Sequence, residues 1–331
     1  MYADVPLWLA IAFVVAGLAV LAWSSDVFVD GAAKLATLLG ISPFIIGMVV
    51  IGFGTSAPEL CVSALSSLSG HTDLSLGNAY GSCSLNIALI LGVAVLIFPL
   101  VVRPQVTLVA GPGLAALTAF SYVVLRDGTC SRVDAALLLG LFAVLLPLYC
   151  WYDQKFGAGQ ARRNDAPASG GGGIAISLIK VVVGLAFLVG SSHILVWGAV
   201  DLAKALGVSD LIIGLTIVAA GTSLPELASA VASARRGEHE FILGNIIGSN
   251  FFNMLAVVGL ACVLSPTSSF SPYVLSRDLP VLMGLSLSIL VFGLNWRHWR
   301  WPGVIRRREA VVWILVFVAY MALMLYQEVP R

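Results

Sequence analysis

Apolar residues run in blocks of about 20 along this chain, separated by short polar breaks. A helix needs about that many to cross a bilayer. Ten blocks qualify, at 7–33, 42–68, 75–99, 104–125, 133–152, 174–203, 209–235, 242–264, 275–295 and 310–326. The pattern predicts an all-α integral membrane protein of about ten transmembrane helices. Between spans five and six lies the one clearly polar, flexible stretch. It runs from Asp153 through Arg162-Arg163-Asn164-Asp165 to Ser169-Gly170-Gly171-Gly172-Gly173. Gly- and Ser-rich composition of this kind makes a linker. The chain thus divides into 1–152, a linker over 153–173, and 174–331.

Composition agrees. Of 331 residues, 59% are hydrophobic and 11% charged, and mean hydropathy is +0.99. A soluble domain carries about 25% charged residues. The net charge of +1 suggests neither nucleic acid nor an acidic macromolecule as partner, and no protein partner is implied; the bilayer is the surrounding medium. The N-terminus, Met1-Tyr2-Ala3-Asp4, lacks the basic region of a signal peptide, so the first apolar run is expected to be retained. Cys61, Cys83, Cys130, Cys150 and Cys262 lie mostly in apolar runs, show no metal-ligand spacing, and are expected to be buried thiols. There is no His-Glu-x-x-His helix, no phosphate-binding glycine loop and no Gly-x-Ser-x-Gly elbow. Intramembrane hydrolysis therefore has no motif behind it, and no cofactor is expected.

The two halves repeat. Shifting the sequence by 167 positions aligns 24–92 with 191–259 without a gap, and 28 of the 69 aligned positions are identical. The matches include Gly54-Thr55-Ser56-x-Pro58-Glu59-Leu60 with Gly221-Thr222-Ser223-x-Pro225-Glu226-Leu227, Gly77-Asn78 with Gly244-Asn245, Gly81-Ser82 with Gly248-Ser249, and Asn86 with Asn253. Chance similarity of apolar helices would match Leu and Val, not Thr, Pro, Glu and Asn in register. The copies start five spans apart. Five is odd, so they face opposite ways across the membrane. With the N- and C-termini outside, 13 of the 18 Lys and Arg fall on the cytoplasmic side, as the positive-inside bias requires.

Glu59 and Glu226 are the only acidic residues near the middle of a span. A charged carboxylate at that depth costs about 2.5–3.5 kcal/mol even on lenient scales, and such residues mark ion or proton pathways. Pro58 and Pro225 precede them. Proline removes a helical donor, clashes with the carbonyl four residues back and pushes the preceding residue off the helical region. Spans two and seven are therefore expected to break just before the glutamates, with Ala57 and Leu224 off the helical region, freeing carbonyls near Gly52–Thr55 and Ala219–Thr222. Thr55, Ser56, Thr222 and Ser223 add hydroxyls. Ser82 with Asn86, and Ser249 with Asn253, lie four apart on one helical face. Such an oxygen-rich set suits a hard cation; soft ligands are missing from both blocks. Gly77, Gly81, Gly244 and Gly248 allow close helix packing. Asp26 and Asp30 have no acidic counterparts and are read as lying near a water-facing helix end; Arg306-Arg307-Arg308 reads as a topology signal.

The doubled Gly-Thr-Ser-x-Pro-Glu and Gly-Asn-x-x-Gly-Ser-x-x-x-Asn motifs resemble the α-repeats of the sodium/calcium exchangers in the Ca²⁺:cation antiporter superfamily, prokaryotic type. The resemblance covers the paired spans of both halves and the ten-span layout. It implies two inverted five-helix repeats with helices two and seven broken. It also implies a multi-pass protein of a prokaryotic inner membrane, exchanging Ca²⁺ for Na⁺ by alternating access, with long spans one and six sliding against the rest. Carried over, Glu59 and Glu226 would bind Ca²⁺ and share Na⁺. Thr55, Thr222, Ser56, Ser223, Ser82 and Ser249, with carbonyls of Gly52 and Ala219, would complete the Na⁺ sites, and Asn86 and Asn253 would face them. The chain departs at Cys83-Ser84-Leu85, where the family often has Asn-Ile-Phe, and at Asn253, where some members carry Asp. With two asparagines and no third central carboxylate, ion preference and K⁺ coupling stay open. Ca²⁺/H⁺ exchange is the close alternative. A cation channel fits inverted repeats less well, and an intramembrane enzyme using the glutamates as an acid/base pair lacks a nucleophile.

Overall fold

The structure is a computed structural model describing residues 6–156, 173–205 and 219–328. Most of the 153–173 linker and the first half of the expected span 209–235 lie outside the described residues. In chain order the helices are α1 (Leu7–Leu39), α2a (Pro43–Thr55), α2b (Ala57–Leu68), α3 (Thr72–Ile97), α4 (Pro104–Leu125), α5 (Arg132–Phe156), α6 (Ile174–Ala205), α7a (Ala219–Thr222), α7b (Leu224–Arg235), α8 (His239–Leu264), α9 (Val274–Gly293) and α10 (Arg307–Glu328). Eight are unbroken helices long and apolar enough to span, and α2a with α2b forms a ninth span bent by 43°. With α7 as the tenth, this is the all-α architecture of two inverted five-helix repeats.

Local sequence sets the helix ends. Gly40 closes α1 with φ 63°, its N–H reaching the carbonyls of Ala36 and Thr37, a left-handed cap that glycine adopts without strain. Ser42 caps α2a by accepting from the Ile45 N–H at 3.2 Å, with Pro43 next, where no helical donor is needed.

The breaks at the prolines differ from expectation. Ala57 and Leu224 are helical, and the irregular residues are Ser56 (φ −83°, ψ 4°) and Ser223 (φ −95°, ψ 8°). A new helix starts at Ala57 and at Leu224, so each proline falls in its first turn, where its missing N–H has no intrahelical partner to lose. The expected release of carbonyls is correspondingly partial: the Gly52 carbonyl still accepts from the Ser56 N–H at 3.2 Å.

α8 is the most buried span, and with α3 it forms the centre of the bundle. Gly244 and Gly248 let the α8 backbone meet α2a: a Cβ on either would strike Met48 backbone atoms. Gly77 and Gly81 meet nothing within 4 Å among the described residues. α1 and α6 pack along each other at glycines, Gly17 on Leu195 and Gly184 on Phe28, with Phe13–Trp197 and Trp23–Phe187 ring contacts at 5.5 and 5.7 Å. Their outer faces carry exposed Trp8, Val15, Ile179 and Val182, as a lipid-facing surface does.

On one membrane face β1 (Leu100–Val102) pairs antiparallel with β2 (Gly303–Ile305), starting at Leu100 opposite Ile305. On the other, Thr267 bridges Cys130. Leu100 and Thr267 are 167 positions apart (267 − 100), so the inverted relation extends to the loops. The cysteines correct the expectation of buried thiols: Cys130 and Cys262 form a disulfide, Cys61 is exposed, and only Cys83 is a fully buried thiol. Both bonded residues sit at span ends, where loop geometry overrides the apolar flanks that suggested burial.

Asp30, expected near a water-facing helix end, is ion-paired there: it pairs with Lys34 at 3.0 Å, with Lys180 of α6 at 2.8 Å, and with Arg236 at 3.3 Å. Arg236, just past α7b, also donates to the Asp26 carbonyl at 3.1 Å. One carboxylate thus joins α1, α6 and α7b at a single membrane face.

Candidate cation site

The inverted repeat brings Glu59 and Glu226 to the middle of the bundle, each at the first turn of its half-helix and each 0% exposed. A helix N-terminus is the favourable place for an anion. The two repeats serve each other crosswise. Ser56 Oγ of the first donates to Glu226 Oε1 at 3.0 Å, and Ser223 Oγ of the second donates to Glu59 Oε1 at 3.1 Å. The hydroxyls of Thr55 and Thr222 face Glu226 and Glu59 in the same crossed sense. The second carboxylate oxygen of each, Oε2, is buried with no hydrogen-bond partner among the described residues. Leaving a buried polar group unpaired costs about 1–3 kcal/mol, more when it is charged. Two such oxygens at one place suit the binding of a cation or a proton.

The surroundings are oxygens and amides. Thr55 Oγ1 donates to the Ile51 carbonyl at 2.9 Å and lies 3.3 Å from Asn245 Oδ1. Ser249 donates to the Gly52 carbonyl at 3.3 Å, joining α8 to α2a. Ser82 is buried on α3, and Ala219 opens α7a. Asn86 and Asn253 are buried; Asn86 Oδ1 and both amide atoms of Asn253 have no partner among the described residues. Each asparagine starts or lies in a π-helical turn, Asn86–Leu91 and Phe252–Val257. The wider turn shifts side chains out of α register, as often happens at functional positions. Hard cations take six to eight oxygens, and the residues here supply carboxylate, amide, hydroxyl and carbonyl oxygens. Among the described residues no group of three His, Cys, Asp or Glu side chains occurs, so this centre rests on two carboxylates and neutral oxygens.

Two supporting residues were present in the repeat but not singled out. Asn78 Nδ2 donates to the Glu59 carbonyl at 3.3 Å and to Ser63 Oγ at 3.0 Å. Asn245 Nδ2 does the same to the Glu226 carbonyl at 3.4 Å and Ser229 Oγ at 2.9 Å. The matched Gly-Asn pairs were their signal. Asn250, which contacts Asn86, is not matched in the repeat, its counterpart being Cys83; its signal was the family motif that the second copy keeps.

The comparisons with known proteins agree with this geometry. A family model described as sodium/calcium exchanger protein matches residues 9–151 and 176–326. The inner membrane protein YrbG of Escherichia coli K12 is 37% identical over 315 residues, covering 92% of this chain and 96% of its own length. The sodium/calcium exchanger MaX1 of Methanosarcina acetivorans is 30% identical over 348 residues, covering 94% and 97%. Among solved structures, the sodium-calcium exchanger NCX_Mj soaked with 10 mM Na⁺ and 10 mM Sr²⁺ superposes with a TM-score of 0.81 at 29% identity, over 96% of this chain and 99% of that one. With both halves matched and the doubled motif meeting at one buried pocket, the chain belongs to the sodium/calcium exchanger protein family.

Proposed function

We propose that this protein is a secondary antiporter that carries Ca²⁺ one way and Na⁺ the other by alternating access. The observation behind this reading is the crossed pair of glutamates, each held by the other repeat's serine and each with one buried oxygen free. Glu59 and Glu226 would supply the two negative charges that neutralise one Ca²⁺. Ser56, Ser223, Thr55, Thr222, Ser82 and Ser249, the Gly52 and Ala219 carbonyls, and Asn86 and Asn253 would supply neutral oxygens for Ca²⁺ and Na⁺. Both carboxylates are fully buried, so the ions would be occluded. The Asp30–Arg236 pair ties α1 to α7b, and any slide of α1 and α6 must break it. The deciding experiment is ⁴⁵Ca²⁺ uptake into liposomes holding the purified protein, with Na⁺, H⁺ or K⁺ gradients imposed in turn. Uptake driven by internal Na⁺ is expected; uptake driven by H⁺ alone would instead select the Ca²⁺/H⁺ reading.

The same proposal places both termini outside and the 153–173 linker in the cytoplasm. Besides the arginine bias, the Cys130–Cys262 bond supports it, since disulfides persist on the oxidising side of a membrane. On this topology the bond lies at the outer end of the bundle, with both cysteines buried. In a cysteine-free version, a cysteine placed at Ser169 should react with an impermeant maleimide only from the cytoplasmic side, and one placed after Gln327 only from outside. Reaction of both from the same side would contradict ten spans and the inverted repeat.

A further inference from the structure

Cys83 and Asn250 stand at equivalent positions of the two repeats (250 − 83 = 167) and meet in the centre of the bundle, both 0% exposed. Asn250 Nδ2 donates to the Cys83 carbonyl at 3.3 Å, and Cys83 Sγ donates to the Asn250 carbonyl at 3.7 Å. On its other side, Asn250 Oδ1 accepts from Asn86 Nδ2 at 3.1 Å. A backbone carbonyl can only accept, so the amide nitrogen of Asn250 must face Cys83 and its oxygen must face Asn86. Asn86 then has to answer with its own nitrogen. Its Oδ1 is left buried and without a partner.

The other repeat lacks this relay. The residue equivalent to Asn250 there is a thiol, which offers no amide oxygen to Asn253. Both amide atoms of Asn253 are unpartnered among the described residues, and none of those residues fixes which of them faces inward. The pocket is two-fold symmetric in its glutamates and serines but one-sided in its asparagines.

We propose that Asn250 is a positioning residue that presets Asn86 as an amide-oxygen ligand for Ca²⁺, while Asn253 is left to orient itself when the ion arrives. This rests on reading the pocket as a Ca²⁺ site. A preset ligand binds without first turning, and a lost hydrogen bond of ordinary strength corresponds to about a fivefold change in affinity.

The test is equilibrium ⁴⁵Ca²⁺ binding to the purified full chain in Na⁺-free detergent solution, with melting in ion-free buffer as the structural readout. Asn250→Cys should weaken Ca²⁺ binding about fivefold while the melting midpoint stays within a few degrees. Adding Cys83→Asn should restore binding to within about twofold, because the asparagine now stands on the other repeat and presets Asn253. Wild type that binds no Ca²⁺ would overturn the Ca²⁺ reading and this inference with it. Wild type that binds while Asn250→Cys is unchanged, or a double exchange no better than the single, would overturn the inference alone. If Asn250→Cys by itself is not monodisperse, the double exchange decides: near-wild-type affinity supports the relay, and a loss beyond about fivefold contradicts it.

Discussion

Glu59→Gln and Glu226→Gln should each reduce Na⁺-dependent Ca²⁺ uptake by roughly 100-fold or more, with the protein still inserted in the membrane. Removing one member of a buried charged set costs about 3–5 kcal/mol, and each 1.4 kcal/mol is tenfold in affinity. Here the loss falls on a divalent ion for which two carboxylates supply the whole counter-charge. The amide keeps the shape and can still accept from Ser223 or Ser56, the serines that hold Glu59 and Glu226. The effect therefore isolates charge from packing. The two variants should be about equally impaired because the serine contacts are crosswise and alike. The check is ⁴⁵Ca²⁺ flux in liposomes normalised to reconstituted protein; substantial exchange by either variant would remove the glutamates from the site.

Membrane potential should have the second large effect. Asn86 and Asn253 are neutral, so the empty pocket carries about −2 from the two glutamates, and one Ca²⁺ brings it to zero. Three Na⁺, the load that membership of the family suggests, would leave it at about +1. One net charge then moves per cycle, worth about 2.3 kcal/mol per 100 mV. That corresponds to roughly 50-fold in the Ca²⁺ gradient the protein can sustain at a fixed Na⁺ gradient. An inside-positive potential, set by a K⁺ diffusion gradient with valinomycin, should speed Ca²⁺ uptake into Na⁺-loaded liposomes as positive charge leaves with Na⁺. Uptake indifferent to the clamped potential would mean two Na⁺ per Ca²⁺, or a different ion pair.

Much of the architecture was legible in the chain because the chain states it twice. Polar identities in register across 167 positions, such as Pro58/Pro225 and Asn78/Asn245, fix a repeat that apolar matches alone could not, and an odd number of spans between copies fixes the inversion. The glutamates were legible because a carboxylate amid apolar residues is costly. Other features depend on contacts that no local pattern records. The break falls at Ser56 and Ser223 because proline is tolerated in the first turn of a new helix, and the sequence argument had treated it only as an interruption. The π-helical turns at Asn86 and Asn253 contain neither glycine nor proline to announce them. Asn250 stood out only as the asparagine kept where the first copy has Cys83; its contacts with Asn86 and Cys83 come from the packing of the two repeats. The disulfide joins residues 132 apart in sequence, a pairing that spacing alone could not select. The ion pairs of Asp30 were not legible because Lys180 and Arg236 come from the other half of the chain.

The central claim is that one Ca²⁺ and several Na⁺ compete for the pocket between Glu59 and Glu226. Equilibrium ⁴⁵Ca²⁺ binding to the purified protein under rising Na⁺ tests it most directly. The account predicts one Ca²⁺ per chain, displaced by Na⁺ along a curve steeper than a single competing ion gives, and no specific binding to the Glu59→Gln, Glu226→Gln double variant. Ca²⁺ binding that ignores Na⁺, or that survives the loss of both carboxylates, would contradict it.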